Sequence, residues 1–184
     1  MGWIILIIVV LILVFLINIY NNLVSLRQKV KNAWSQIEIQ LQRRFDLIPN
    51  LVETVKGYMG HESNILTKVA ELRTAWANAK TVAEKSNLDT QLSDTLKTIM
   101  AVSEAYPDLK ANQNFTSLQQ ELANTENKIS YSRQFYNDIV TTYNTKIQVF
   151  PSNIVAGMFN FTQETLFEVD NPEARKNVKV DFNN

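Results

Sequence analysis

Few residues in this sequence could carry chemistry. His61 is the sole histidine and is followed by Glu62, the opening of a pattern in which two histidines four residues apart on a helix hold zinc beside a glutamate base. Position 65 is Ile65, so the second ligand is missing and the zinc-protease spacing is not completed. A di-iron bundle needs Glu-x-x-His on each of two helices, which a single histidine cannot supply. A serine triad would have to recruit His61, and a lone histidine in a helical segment more often serves structure than catalysis. With no cysteine in the chain, thiol nucleophiles, thiolate metal sites and disulfides are excluded. Gly2, Gly57, Gly60 and Gly157 build no loop leading into Lys-Ser or Lys-Thr, so a phosphate cradle has no support. Carboxylates such as Glu53 and Glu126 could serve a hydrolase, but carboxylates on helix faces are usually solvated. The reading is non-enzymatic: no catalytic, cofactor-binding or metal-ligating residue is assigned, and no cofactor is expected.

The polar residues set within helical stripes are of a different kind. Arg43, Arg44 and Asp46, with Glu126, Asn127, Arg133, Asn137 and Asn144 further along, are expected to form a buried layer of hydrogen bonds and ion pairs. Asn137 and Asn144 lie a heptad apart and each follows a tyrosine, so the two pairs share one flank of a helix. A structural layer that fixes register is favoured over a ligand site, with a solvated face as the alternative.

These residues need long helices to position them. Gly and Pro occur four times each, and the rest of the sequence favours an all-α fold. Lys plus Arg equals Asp plus Glu at 18 each, so no overall field draws the chain to nucleic acid. From Trp3 to Ile17 every residue is apolar, and no charged side chain precedes Arg27. A helix over residues 2–20 would be roughly 28 Å long, close to the roughly 30 Å of a bilayer's hydrocarbon core. Trp3 and Tyr20 lie at its ends, where such rings settle among the headgroups. A cleaved signal peptide needs a basic start and small residues at the cut, and neither is present, so residues 1–20 are expected to be a retained anchor. Arg27, Lys29 and Lys31 follow the span with nothing basic before it, which puts the C-terminal domain in the cytoplasm by the positive-inside rule.

Residues 21–170 are expected to form an antiparallel bundle of three long helices and a short C-terminal one, with 171–184 a polar, extended tail. Trp34, Ile37, Leu41, Phe45, Ile48, Val52, Val55, Met59, Leu66, Val69, Leu72 and Trp76 recur at steps of three and four, predicting one helix direction to about Lys80 that Pro49 either kinks or breaks. A second helix is predicted over 81–105 with Leu88, Leu92, Leu96, Ile99 and Val102 on one stripe. After a loop at 107–114, Thr116 and Gln119 read as the capping box of a third helix over 116–148, whose seam runs Leu118, Leu122, Thr125, Ile129, Ser132, Tyr136, Ile139, Tyr143 and Ile147. Ser152 is expected to cap the short last helix.

Long stretches of this sequence resemble the LemA family. They include residues 27–34, Leu41-Gln42-Arg43-Arg44-Phe45-Asp46-Leu47-Ile48-Pro49-Asn50-Leu51-Val52, Gly57-Tyr58-Met59-Gly60-His61-Glu62 and Ala105-Tyr106-Pro107-Asp108-Leu109-Lys110-Ala111. Leu118-Gln119-Gln120-Glu121-Leu122, Thr125-Glu126-Asn127-Lys128-Ile129, Tyr136-Asn137, Tyr143-Asn144 and Phe150-Pro151 continue the likeness over nearly the whole chain. The resemblance implies a bacterial inner-membrane protein with one transmembrane helix, a cytoplasmic helical bundle and no established activity. It also implies a setting beside membrane partners such as HtpX-type metalloproteases. The expected function is a non-catalytic membrane scaffold or interaction protein, with an accessory or regulatory subunit of such a protease in envelope stress as the alternative.

The expected partners are the lipid bilayer, further copies of the chain and a membrane protein. Self-association rests on length: a first helix over 21–80 would measure roughly 90 Å against roughly 50 Å for the third. The stripe nearest the membrane, Val30, Trp34, Ile37 and Leu41, would then lack cover within the chain. Cover by like stripes of neighbouring copies is favoured over cover within the chain, whether by a C-terminal segment folding back with Phe159, Phe161 and Phe167 or by a break at Pro49 that brings the two halves together.

Overall fold

The computed structural model describes residues 2–58 and 63–167, and these form six helices without a strand. Helix α1 runs unbroken over Gly2–Lys56, α2 over Ser63–Asn78, α3 over Val82–Ser103, α4 over Pro107–Lys110, α5 over Gln113–Gln148 and α6 over Ser152–Met158. His61, Met59 and the tail over 171–184 lie outside the described residues.

The first part of α1 is long and apolar enough to cross a membrane, and through Phe15 its side chains are exposed among the described residues. Asn18, the first polar side chain, donates to the Val14 carbonyl at 2.9 Å and so satisfies itself on its own helix. The helix then continues without a linker into the folded domain. At that point its character changes: Leu23, Val30, Ala33, Ile37, Leu41, Phe45, Ile48, Leu51 and Val55 are buried. Each such side chain contributes about 1.5–3 kcal/mol when fully buried, so this stripe commits α1 to neighbours along its length.

Side-chain pairings give the directions of those neighbours. Arg43 pairs with Glu121, Arg44 with Glu126 and the Trp34 ring with Tyr136, so α5 runs antiparallel to α1. Glu38 pairs with Lys85 and Arg44 with Asp89, so α3 runs parallel to α1. Between them α2 returns, stacking Trp76 on Phe45 with centroids 4.5 Å apart and planes 15° from parallel. The Trp76 indole donates to Gln42 Oε1 at 3.1 Å, which gives its buried ring a partner for its one polar atom. The far half is thus a four-helix bundle, and the near half is α1 and α5 alone, closed by α6 and the segment after it.

Several sequence expectations require correction. The first helix direction does not run to about Lys80 but ends at Lys56, and α2 restarts at Ser63. Of the two readings of Pro49 only the break is excluded: the helix passes through it, leaving the Phe45 carbonyl without the donor a non-proline residue would supply. The third helix starts at Gln113, capped by Asn112, whose Oδ1 accepts from the backbone of Asn114 and Phe115 at 2.8 and 3.2 Å. Thr116 therefore lies inside the helix, and its hydroxyl donates to the Asn112 carbonyl instead of capping. The capping box belongs to α3, between Thr81 and Glu84. The presumed loop holds α4 with Pro107 in its first turn. Ser152 does not cap α6 either, since its hydroxyl donates to the carbonyls of Lys146 and Val149 at the end of α5.

With α1 ending at Lys56, the length mismatch disappears. Residues 20–56 span roughly 55 Å and the 36 residues of α5 roughly 54 Å. Val30, Ile37 and Leu41 are buried within the chain, and Trp34 is partly covered by Tyr136 and Phe167. The exposed stripe inferred from the sequence is therefore covered by α5 and the C-terminal segment of the same molecule.

Pro49→Ala restores the missing backbone donor in an existing helix and should stabilise the protein, by up to about 3 kcal/mol. Thermal unfolding of the full chain in detergent should show a higher midpoint. A lower one would mean that the ring is needed for packing.

Candidate functional site

Helix periodicity carries Arg44 on α1 onto the face that meets both α3 and α5. Arg44 is only 3% exposed, and Nη1 donates to Asp89 Oδ1 at 2.7 Å. The same nitrogen lies 2.8 Å from Glu126 Oε2, though off the line a hydrogen bond needs, and Arg44 Nε has no partner. Asp89 is itself buried, whereas the Glu126 side chain is partly exposed. Burial pushes the Asp89 carboxyl up from the usual range; Arg44 pulls it down, and Glu126 adds to the rise. One cation between two carboxylates ties three helices at one level, with nothing nucleophilic at its centre.

The second arrangement follows α6. Asn160 takes a left-handed backbone with φ of 53°, the Phe161 N–H reaches the Ala156 carbonyl at 2.9 Å, and the Asn160 N–H reaches Gly157 at 3.4 Å. This is a Schellman ending, in which asparagine tolerates a conformation that most side chains avoid. It sends residues 161–167 back along α5 in extended form.

Asn137 donates to the Phe167 carbonyl at 3.1 Å and accepts from its N–H at 2.9 Å. Asn144 does the same to Glu164, at 2.8 and 2.9 Å. Tyr136 donates to the Thr165 carbonyl at 2.7 Å and Tyr143 to that of Thr162 at 3.0 Å. The geometry is one of matched periods. Seven residues of helix advance about 10.5 Å and three residues of extended chain advance about 10 Å, so a heptad on α5 meets a triplet on the return segment. Burial pushes the Tyr136 phenol up to about 12, helped by the Glu164 carboxylate. Tyr143 is raised for the same reasons, against an opposing pull from Arg27. Both hydroxyls therefore stay protonated and able to donate.

The residues expected to form a single layer are spread over several separate settings. Arg44 and Glu126 meet with Asp89, which sequence reasoning missed; a lone aspartate three residues before Leu92 gave no sign of being buried. Arg43 pairs with Glu121 at the surface. Asp46 is exposed and accepts from Gln42 at 2.8 Å, and Asn127 is exposed. Arg133 lies over the Phe167 ring at 5.9 Å. Asn137 and Asn144 hold the return segment, too far along α5 to join Arg44. Lys85 was also missed; it pairs with Glu38 and sits 5.1 Å from the Trp76 ring. Among the described residues no group of three or more His, Asp or Glu side chains is placed to hold a metal ion.

Comparison with known proteins gives this arrangement a context. A family model, LemA family, matches residues 33–182. Protein LemA of Metamycoplasma hominis is 26% identical over 156 residues, covering 83% of this chain and 70% of that protein. Magnetosome proteins MamQ 1 and MamQ 2 of Paramagnetospirillum magneticum are each 24% identical over 175 residues, 81% of this chain. Magnetosome protein MamQ of Magnetospirillum gryphiswaldense is 23% identical over 174 residues, 80% of this chain. The chain spans 64% of the length of each MamQ protein.

Two predictions follow from these contacts. Arg44→Ala leaves a buried carboxylate unpaired and should cost about 3–5 kcal/mol at neutral pH, while Arg44→Met with Asp89→Leu should be nearly neutral. Because the folded-state value of Asp89 lies above its ordinary 3.8, that group favours folding below 3.8 and loses this contribution as pH rises through its folded value. The Arg44→Ala penalty should therefore shrink on acidification; denaturant unfolding across pH checks this, and a penalty independent of pH would contradict it. Asn137→Ala with Asn144→Ala removes four hydrogen bonds to the return segment, at about 1 kcal/mol each. Amide hydrogen exchange at Glu164 and Phe167 should accelerate while mid-α5 amides stay protected, and unchanged protection at those two amides would rule the clamp out.

Proposed function

The chain belongs to the LemA family, and on that premise we propose that it is a membrane-anchored, non-catalytic scaffold that holds a helical bundle at a fixed height and angle above a bilayer. The observation that carries this reading is the continuity of α1, which passes from the apolar span into the bundle core with no linker. A rigid helix transmits the orientation of the span to the bundle, as a device for presentation requires. The names of the relatives denote no enzymatic activity, and three of them are magnetosome proteins, which supports a membrane-associated role. Arg27, Lys29 and Lys31 after the span favour a cytoplasmic bundle.

Self-association belongs to this proposal through a different surface from Val30, Trp34, Ile37 and Leu41. Tyr131 and Phe135 are exposed one turn apart on α5, and Ile39 is exposed on α1 at the height bracketed by the Trp34–Tyr136 and Arg44–Glu126 contacts. The second reading is an accessory subunit of a membrane protease, which the resemblance alone suggests.

A single cysteine at Tyr131 in this cysteine-free chain tests both parts. In intact spheroplasts it should resist an impermeant maleimide and yet crosslink copies of the chain through a permeant reagent. Labelling from outside would overturn the orientation. Recovery of a stoichiometric protease in place of like copies would favour the accessory subunit, and recovery of the monomer alone would count against both.

A further inference from the structure

At the lower end of the bundle, α5 gives way to α6 through a bend that leaves large apolar side chains without cover. Phe150 is 80% exposed, Ile154 53%, Met158 68% and Phe159 54%. Ile154 and Met158 stand four residues apart on the outer face of α6, while Ser152, Val155 and Ala156 on its inner face are buried. A two-sided apolar helix in a small water-soluble domain calls for an occupant of its outer face.

Three features of this bend indicate which occupant. The first is height. Phe159 packs on Tyr20 with centroids 4.7 Å apart, and Tyr20 closes the apolar span; Leu16 and Ile19, within the span's last turns, are themselves partly covered by the fold. The bend therefore lies level with the end of the span, next to it. The second is charge. No Asp, Glu, Lys or Arg occurs from Ile147 to Gln163, a run matched in this chain only by the first 26 residues. The third is the border. Lys146 stands just before this run and Glu164 just after it, and Arg27 lies 4.9 Å from the Phe161 ring, so two basic groups and one acidic group flank the uncharged zone on its bundle side. Apolar and aromatic side chains at the depth of a span's end, with charged residues only at their border and basic ones in excess there, match the chemistry of the bilayer interface.

We infer that the α5–α6 bend is a second membrane contact, with Phe150, Ile154 and Met158 seated among the headgroups and upper acyl chains beside the anchor. This rests on the reading of residues 2–20 as a membrane span. A lone helix can swivel and tilt in a bilayer, whereas a helix with an apolar foot beside it has a fixed rotation. The foot thus sets the direction in which the bundle leans, and the return segment clamped to α5 links that foot to Trp34 higher up.

The test uses the full chain in liposomes of zwitterionic and anionic phospholipid. Single nitroxide labels are placed at Phe150, Ile154 and Met158, with Leu11 as the in-span reference and Lys97, exposed on α3, as the bundle reference. Collision with oxygen relative to a water-soluble nickel chelate reads the depth of each. All three bend positions should show a ratio several-fold above that of Lys97 and below that of Leu11. If Leu11 reads as lipid and the bend positions read as water, the inference is overturned and the anchor stands. If the bend positions are shielded from both reagents, a protein surface covers them, and the inference is again overturned. If Leu11 itself reads as water, the anchor reading fails and takes the inference with it. The three bend positions are read independently, with helix content checked for each variant by circular dichroism.

Discussion

A helix that leaves an apolar span and continues for roughly 55 Å with an apolar stripe on one side has to be covered along that whole distance, and the placement of every other element in this chain follows from it. α5 covers the stripe from end to end. α2 and α3 fill the remaining faces over the upper half, where Phe45, Ile48, Leu51 and Val55 need more than one neighbour. Over the lower half only two long helices are present, and the gap is closed by α6 and the return segment after it. The architecture thus changes from four helices to two without a break in α1.

Polar groups mark the boundary between these halves. The upper half is registered by Arg44, whose charge is shared between α3 and α5, so a sliding of either helix by one turn would strand a buried ion. The lower half is registered by neutral hydrogen bonds from α5 to backbone, which need no countercharge, next to the apolar end of α1. Lys85, between Glu38 and the Trp76 and Trp34 rings, stands near the height at which the transition occurs.

Much of the fold was legible in the sequence because its signals are local. The span announces itself by composition, and the seam of α5 by a spacing that the structure repeats almost residue for residue, from Leu122 to Ile147. What failed was non-local. Nothing in the spacing showed whether the stripe from Trp34 to Trp76 was one helix or two, since the three-four pattern of α2 is in phase with that of α1. The length mismatch, and the exposed stripe deduced from it, came from that one error. The polar residues were read as a set because they share helix flanks, but flanks say nothing about height, and Arg44 lies well above Asn137 and Asn144. Asp89 was invisible because its partner is 45 residues away. The tyrosine and asparagine pairs stood out by their heptad spacing, although their purpose could not be read, because what they bind is main chain and main chain leaves no mark in a sequence.

That last property has an evolutionary corollary. A groove that recognises carbonyls and amides places almost no demand on the identity of Gln163, Thr165 or Leu166, and only Phe161 and Phe167 insert rings into the core. The spacing between residues is another matter. Helix and strand coincide only once per heptad and triplet, so one residue gained or lost between Thr162 and Phe167 shifts the strand by about 3.3 Å and defeats one pair of contacts whenever the other is kept. In lineages descended from such a chain, substitutions should accumulate freely along this stretch while its length stays fixed, like a vernier whose markings can be repainted but not respaced.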